Sequence, residues 1–366
     1  MTPDISLDSL IEENRNFAIY RIPGSNTLHF VSQERGQVSL LRGIEELNGQ
    51  SGFVIAPFEI SESCPIALLQ PDREERIPVP EGETFSSTAA AYTRSATVEA
   101  GYADRFRTFI APIREKRFKK LVLSRETIIG REEAFSPAGA FLIACRKYIR
   151  SYVYLFHTPA TGTWMGCTPE ILLAGEKNRW HTVALAGTQP LCRNTLPDTW
   201  DDKNLIEQML VAYYIRMQLF SFGIHPEENG PYTVRAGDLA HLKTDFHFSL
   251  PDTGRLGDLL KLLHPTPAVS GLPKEEARRF ILANEGYDRR YYSGFAGWLE
   301  PQGKSDLYVN LRCMNIQPHA LRLYAGGGLL PSSGMEEEWQ ETEDKLQTML
   351  FVTKRQNTKK QTYVFG

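Results

Sequence analysis

The chain is 366 residues long, 42% hydrophobic and 23% charged, with a formal net charge of −3 from 41 basic and 44 acidic side chains. Such a composition belongs to a folded globular protein with room for one large domain or two ordinary ones, and excludes a weakly hydrophobic, disordered chain. It also lacks the broad basic field that nucleic acid or an anionic membrane recruits, so neither is expected as a partner.

Residues 1–16 show no basic segment followed by an apolar core, so no secretory signal is expected, and no stretch approaches the ~20 apolar residues of a membrane span. A cytoplasmic location is the resulting expectation. The five cysteines, Cys64, Cys145, Cys167, Cys192 and Cys313, are odd in number and scattered, and they read as reduced, mostly buried thiols. Short β-type runs over 16–22, 27–32 and 52–57 are separated by Gly, Pro and Asn turns, and 71–83, rich in Pro, Glu and Arg, reads as an exposed loop. Helical spacing over 90–117, with Tyr102, Phe106 and Phe109 on one face, then leads into the short apolar run KLVLSR at 120–125, a buried strand. A helix over 137–149 and strands over 152–157 and 164–167 follow, the last ending in Thr-Pro-Glu, so Glu170 stands where a strand breaks. Amphipathic helices are predicted over 203–222 and, opened by Pro273, over 274–284. Strands over 294–299, 306–315 and 320–324 come next, the last running into Ala-Gly-Gly-Gly at 325–328; a final helix spans 335–354 and the chain frays over 354–360. Strands in hairpin-like groups with helices between the groups predict an α+β fold with largely antiparallel sheets.

Several of these elements carry groups that suit chemistry. On the last helix Glu338, Glu341 and Lys345 fall at i, i+3 and i+7 and share one face, which fits either a solvated charged surface or a cation site. Glu207 points along a mostly apolar helix face, where a carboxylate needs a partner: an ion pair or a metal. Were Glu207 and Glu341 to meet, their repulsion would call for a cation between them, and magnesium commonly takes one or two carboxylates and leaves positions for an anionic substrate. The glycines Gly326–Gly328 leave backbone free to approach an anion or simply make a tight turn. Arg312, in a core strand, suits a bidentate carboxylate contact or a cross-strand ion pair. Lys120 and Glu170, each beside an apolar strand, are a candidate base and acid, although salt-bridged or snorkelling side chains would give the same pattern.

Taken in order, KLVLSR (120–125), TPE (168–170), ALAGT (184–188), HLKT (241–244), HPTPAVSGLP (264–273), ANEGYDRRYYSGFAGW (283–298), VNLRC (309–313), YAGGG (324–328) and EEWQETEDK (337–345) resemble the chorismate-utilising enzymes. The resemblance implies two large packed antiparallel β-sheets with helices outside. Residues 1–100 would be the divergent N-terminal part of the same fold, 101–354 the chorismate-binding catalytic region and 355–366 a tail. It implies a Mg2+ held by Glu207 and Glu341 with Glu338 close by, and substrate contacts from Arg312, Lys345 and the backbone at Gly187 and Gly328. His241 and Ala268, from the HLKT and HPTPA strings, join that substrate-binding set. Lys120 becomes the base that activates water for attack at C2 of chorismate, and Glu170 the acid that protonates the departing C4 hydroxyl.

Within that family the lysine at 120, the alanine at 186 and the HPTPA form with Ala268 are similar to the isochorismate-forming branch, in menaquinone or siderophore biosynthesis. They point away from the aminating branches, and no obligate glutamine amidotransferase partner is expected. A salicylate-forming, pyruvate-releasing enzyme and a catalytically silent chorismate-binding module are the competing expectations. The family's helix motif K-D-x-x-E-H is changed here, with Asn204 for the acid and Gln208 for the histidine, a change expected to weaken the support of the ion.

Overall fold

Eighteen strands and seven α-helices make up the residues that this computed structural model describes, 6–82, 98–191 and 195–354. One nine-stranded sheet runs β14 (Gly271–Leu272), β7 (Lys120–Gly130), β18 (Ala320–Leu329), β17 (Cys313–Ile316), β9 (Gly162–Thr168), β8 (Tyr152–Thr158), β1 (Asn16–Arg21), β2 (Thr27–Gln33), β6 (Arg73–Pro78). The other runs β12 (Glu227–Ala236), β13 (Leu239–Phe248), β11 (Arg179–Pro190), β10 (Ile171–Glu176), β16 (Lys304–Val309), β15 (Phe295–Leu299), β4 (Gly52–Ala56), β5 (Ile66–Leu69), β3 (Ser39–Leu41). The pairings are antiparallel throughout. The first six strands divide evenly between the two sheets.

Between the sheets lies an aromatic layer that includes Tyr20, Phe53, Tyr152, Tyr154 and Trp164. Tyr152 and Tyr308, one from each sheet, stack with ring centroids 4.2 Å apart. Burying a large apolar side chain contributes ~1.5–3 kcal/mol, so this layer fixes how the sheets sit on each other. Leu7 and Leu10 of α1 (Leu7–Glu12), the apolar face of α3 (Pro137–Lys147) and Leu346 and Met349 of α7 (Met335–Lys354) pack against the outer face of the first sheet. Helices α4 (Asp202–Ser221) and α5 (Leu256–Leu263) do the same for the second. Helices α2 (Ala100–Arg114) and α6 (Lys274–Asn284) close over β7 together with Trp339.

The fold class and most elements agree with the sequence reading, and the differences have physical causes. Residues 71–83 include β6, an edge strand paired with β2, whose alternating charged side chains give it the look of a loop. The first long helix begins at Ala100, and residues 90–97 of the expected span lie outside the described residues, as do Cys192 and 355–366. The single strand expected over 306–315 is two: β16 belongs to one sheet and β17 to the other, and Arg312 sits at the corner where the chain crosses. The glycine run is no turn. Gly326, Gly327 and Gly328 continue β18, opposite Ser124, Leu123 and Val122 of β7. Helix α4 is not simply amphipathic either, because its outward side carries the exposed Leu205, Ile206, Met209 and Tyr213. Among the described residues no helix is long and apolar enough to cross a membrane.

Candidate active site

A cavity where the sheets meet α4 and α7 is lined by Glu170, Gly187, Glu207, His241, Ala268, Arg312, Gly328 and Lys345. Lys120 and Glu341 contact Glu207 and Lys345 of that lining, respectively, and Glu338 faces Gly327 beside Glu341. Of the residues expected to work together, the structure therefore gathers all eleven at one place.

Glu170 occupies the link between β9 and β10, where its carbonyl accepts a hydrogen bond from Val309 N at 2.9 Å and ties the link to β16. Its side chain is 2% exposed. Burial pushes its carboxyl up to about 8, against the opposing pull of Lys120 and Lys345, so the group is protonated at neutral pH. Lys120, the first residue of β7, is fully buried, and its ammonium lies 2.8 Å from Glu207 Oε1.

Space for these groups comes from the glycines of β18. A β-carbon on Gly328 would overlap Glu207 Oε1, and it would also crowd the Lys120 side chain. One on Gly327 would sit 2.8 Å from Glu338 Oε2 and 3.4 Å from Glu341 Oε1. None of the three glycines uses the left-handed backbone region. What the sequence needs there is missing side chains, not unusual φ.

The carboxylates of α7 are not a solvated face. Glu338 is 1% exposed, and burial plus the neighbouring Glu341 push its carboxyl up to about 7 although Lys203 opposes. Its Oε1 accepts from Ser333 Oγ at 2.6 Å and pairs with Lys203 at 2.5 Å, whereas its buried Oε2 has no hydrogen-bond partner. Glu341 is the opposite case: burial is outweighed by Lys345 and Lys203, which hold it down at about 2. Lys345 Nζ donates to Glu341 Oε1 at 2.6 Å and to Gly326 O at 2.8 Å.

Arg312 and His241 form the polar wall. Arg312 holds a left-handed backbone, φ +47°, at the crossing between the sheets, a conformation that costs about 1–3 kcal/mol and clusters at functional sites. Its guanidinium is buried, which lowers its pKa from the ordinary arginine value, and among the described residues no carboxylate forms an ion pair with it. His241 faces Gly187 O with Nδ1 at 2.8 Å and Arg312 Nη2 with Nε2 at 3.4 Å. Burial, Arg312 and Lys345 push its pKa down to about 3, so the ring is neutral, with Nδ1 the donor and Nε2 the acceptor. Gly187 does use its freedom: at φ +72° it marks an irregularity in β11 that aims the backbone of Gly187 and Thr188 at the cavity.

The two changed helix positions are both occupied usefully. Asn204 accepts from Thr188 N at 2.9 Å and donates to both carboxylate oxygens of Asp201, the N-cap of α4, so it braces the Gly187 loop. Gln208 donates to Ala184 O and Thr244 Oγ1. Sequence reasoning gave no role to Lys203, the lysine of the K-D-x-x-E-H motif, or to the cavity walls Val122, Tyr292 and Tyr324. Lys203 was open to detection, since it lies four residues before Glu207 and so on the same helix face.

Among the described residues no group of three His, Cys, Asp or Glu side chains stands ready to share one metal ion. Glu207 and Glu338 are each paired with a lysine instead. The donor set nevertheless fits a hard divalent cation: three carboxylates converge on the bare surface of Gly327 and Gly328, and one buried oxygen of Glu338 lacks a partner.

Comparison with known proteins places these residues in context. A family described as chorismate binding enzyme matches residues 66–354. The isochorismate synthase EntC of Escherichia coli (strain K12) is 32% identical over 293 residues, covering 76% of this chain and 69% of its own length. The structure of MenF, the menaquinone-specific isochorismate synthase from Escherichia coli, superimposes with a TM-score of 0.75 at 23% identity, over 96% of this chain and 92% of that one. Anthranilate synthase component I from Streptococcus pneumoniae TIGR4 follows the same fold, with a TM-score of 0.64 at 17% identity, over 92% and 90%.

Proposed function

This chain belongs to the chorismate binding enzyme family, and from that premise we propose that it is an isochorismate synthase acting in menaquinone or siderophore biosynthesis. The observation that carries the mechanism is the pairing, at one cavity, of a buried lysine with a buried carboxyl whose pKa is pushed up to about 8. An acid and a base placed apart are what an allylic displacement needs.

Lys120, as the base, takes a proton from water whose oxygen bonds to C2 of chorismate; both ring double bonds move over by one bond, and the C4–O bond breaks. Glu170 delivers its proton to the departing hydroxyl, which leaves as water. One water enters and one leaves, so the product is an isomer. Arg312, with Lys345 and the backbone at Gly187 and Gly328, binds the substrate's carboxylates, and neutral His241 holds the guanidinium in place. Ala268 and Ala186 leave the cavity room for the ring.

Glu207, Glu338 and Glu341 would hold a magnesium ion, which when bound supplies positive charge for a substrate carboxylate. Glu207 also lies 2.8 Å from Lys120, so the carboxylate that would hold the ion is the one that positions the base. Incubation of the purified protein with chorismate and Mg2+, beside an EDTA control, with products separated by HPLC, tests the reading. Isochorismate formed only with the ion is expected. Salicylate with pyruvate would move the protein to the lyase branch, and no turnover would leave a chorismate-binding module.

A further inference from the structure

We infer that Lys203 is a resident counter-ion of the carboxylate cluster, neutralising Glu338 and Glu341 when no divalent cation is bound and competing with that cation for them. The inference rests on the magnesium reading above and adds a residue that the reading does not use.

Lys203 lies in the first turn of α4, four residues before Glu207, and its side chain is 21% exposed, so it reaches inward from the rim of the site. Its ammonium is 2.5 Å from Glu338 Oε1 and 4.0 Å from Glu341 Oε2. Glu341 is already satisfied from its other side by Lys345 at 2.6 Å. Glu338, deeper and 1% exposed, has Ser333 as its other polar partner and, among the described residues, no second cation.

Two carboxylates one helical turn apart and out of water repel each other, and an uncompensated buried charge is strongly destabilising. Lys203 relieves both costs in the metal-free protein. A divalent ion seated on the same oxygens would lie within a few ångströms of the ammonium, where like charges repel, so the two cations exclude one another. A long stem anchored at the rim lets Lys203 withdraw into solvent without disturbing α4. The protein thereby keeps a stable empty site, and its ion affinity is set below what the carboxylates alone would give.

The test uses Mn2+ as the probe on the full chain without substrate, by calorimetry or by the loss of the free-ion EPR signal, with thermal unfolding in EDTA alongside. Lys203→Met should tighten the Mn2+ Kd about tenfold, as expected for removing a competing charge, and lower the melting temperature in EDTA; Lys203→Arg should keep both near wild type. A Kd for Lys203→Met that is unchanged or weaker overturns the inference. Should that variant not fold, acetylation of the wild type read by peptide mass spectrometry decides: faster labelling of Lys203 with Mn2+ supports displacement, and equal or slower labelling contradicts it. Binding of Mn2+ to neither protein overturns the magnesium reading as well, whereas equal binding to both removes only the role of Lys203.

Discussion

Glu170 is buried and Glu341 is 15% exposed at the same site, yet burial drives the first up to about 8 while two lysines hold the second down at about 2. The difference lies in distance to cations. Lys345 touches Glu341 at 2.6 Å and Lys203 stands within 4.0 Å, whereas among the described residues Glu170 forms no ion pair and Lys120 and Lys345 act on it only through space, too weakly to offset its burial. One end of the cavity thus keeps a proton to give, and the other keeps negative charge to hold a cation. The same residue type supplies both because its surroundings, and not its identity, set its charge.

The comparison is broken most severely by removing the two groups proposed to make the proton transfers. Lys120→Ala and Glu170→Ala should each lower turnover by roughly 10²–10⁴-fold, the range for loss of a general acid or base, while circular dichroism shows an intact fold. At the other end, Glu341→Gln should leave Lys345 and Lys203 facing a neutral amide. Turnover should then fall by about 10–100-fold, the range for perturbed metal sites, and recover partly at high Mg2+, measured as the ion concentration for half-maximal rate.

Changing pH sharpens the comparison without mutation. As the proposed acid, Glu170 must act protonated, so kcat/KM should fall as pH rises through about 8. Stability moves the same way: folded Glu170 keeps its proton up to about 8, the unfolded chain loses it near 4.5, and the folded state therefore loses stability as pH rises across that window. Glu170→Gln removes the titration and should be more stable than wild type at pH 8.5, relative to pH 5, by ~1 kcal/mol or more in urea unfolding. The smallest effect concerns α4. Asn204→Asp restores the residue usual in the family motif, but it sets a carboxylate against Asp201 and loses the amide's hydrogen bonds, so it should destabilise by ~1 kcal/mol in the same unfolding experiment.

Much of this was legible in the sequence because hairpin-spaced strands and helical stripes are local patterns. Lys120, Glu170 and Glu207 could be named because each is a charge in an apolar context, which is costly unless used. The glycine run suggested an anion-binding backbone or a tight turn because glycine permits unusual φ and close approach. In β18 it instead clears volume for side chains that arrive from β7, α4 and α7, more than 100 residues away along the chain in two of the three cases. The corner at Arg312 was hidden for a related reason, since a strand that changes sheets looks like one continuous strand until its neighbours are known. Lys203 stood in the helix motif without a role because a lysine in a first helical turn resembles solvated surface, and only the fold brings Glu338 to it.

The account stands or falls on water attacking C2 while the C4 oxygen departs. Conversion of chorismate in 18O-labelled water, with the product oxygens assigned by mass spectrometry and NMR, measures this directly. Isochorismate carrying one label, on the hydroxyl at C2, is the predicted result, and unlabelled isochorismate would contradict the assignment of Lys120 and Glu170 as base and acid.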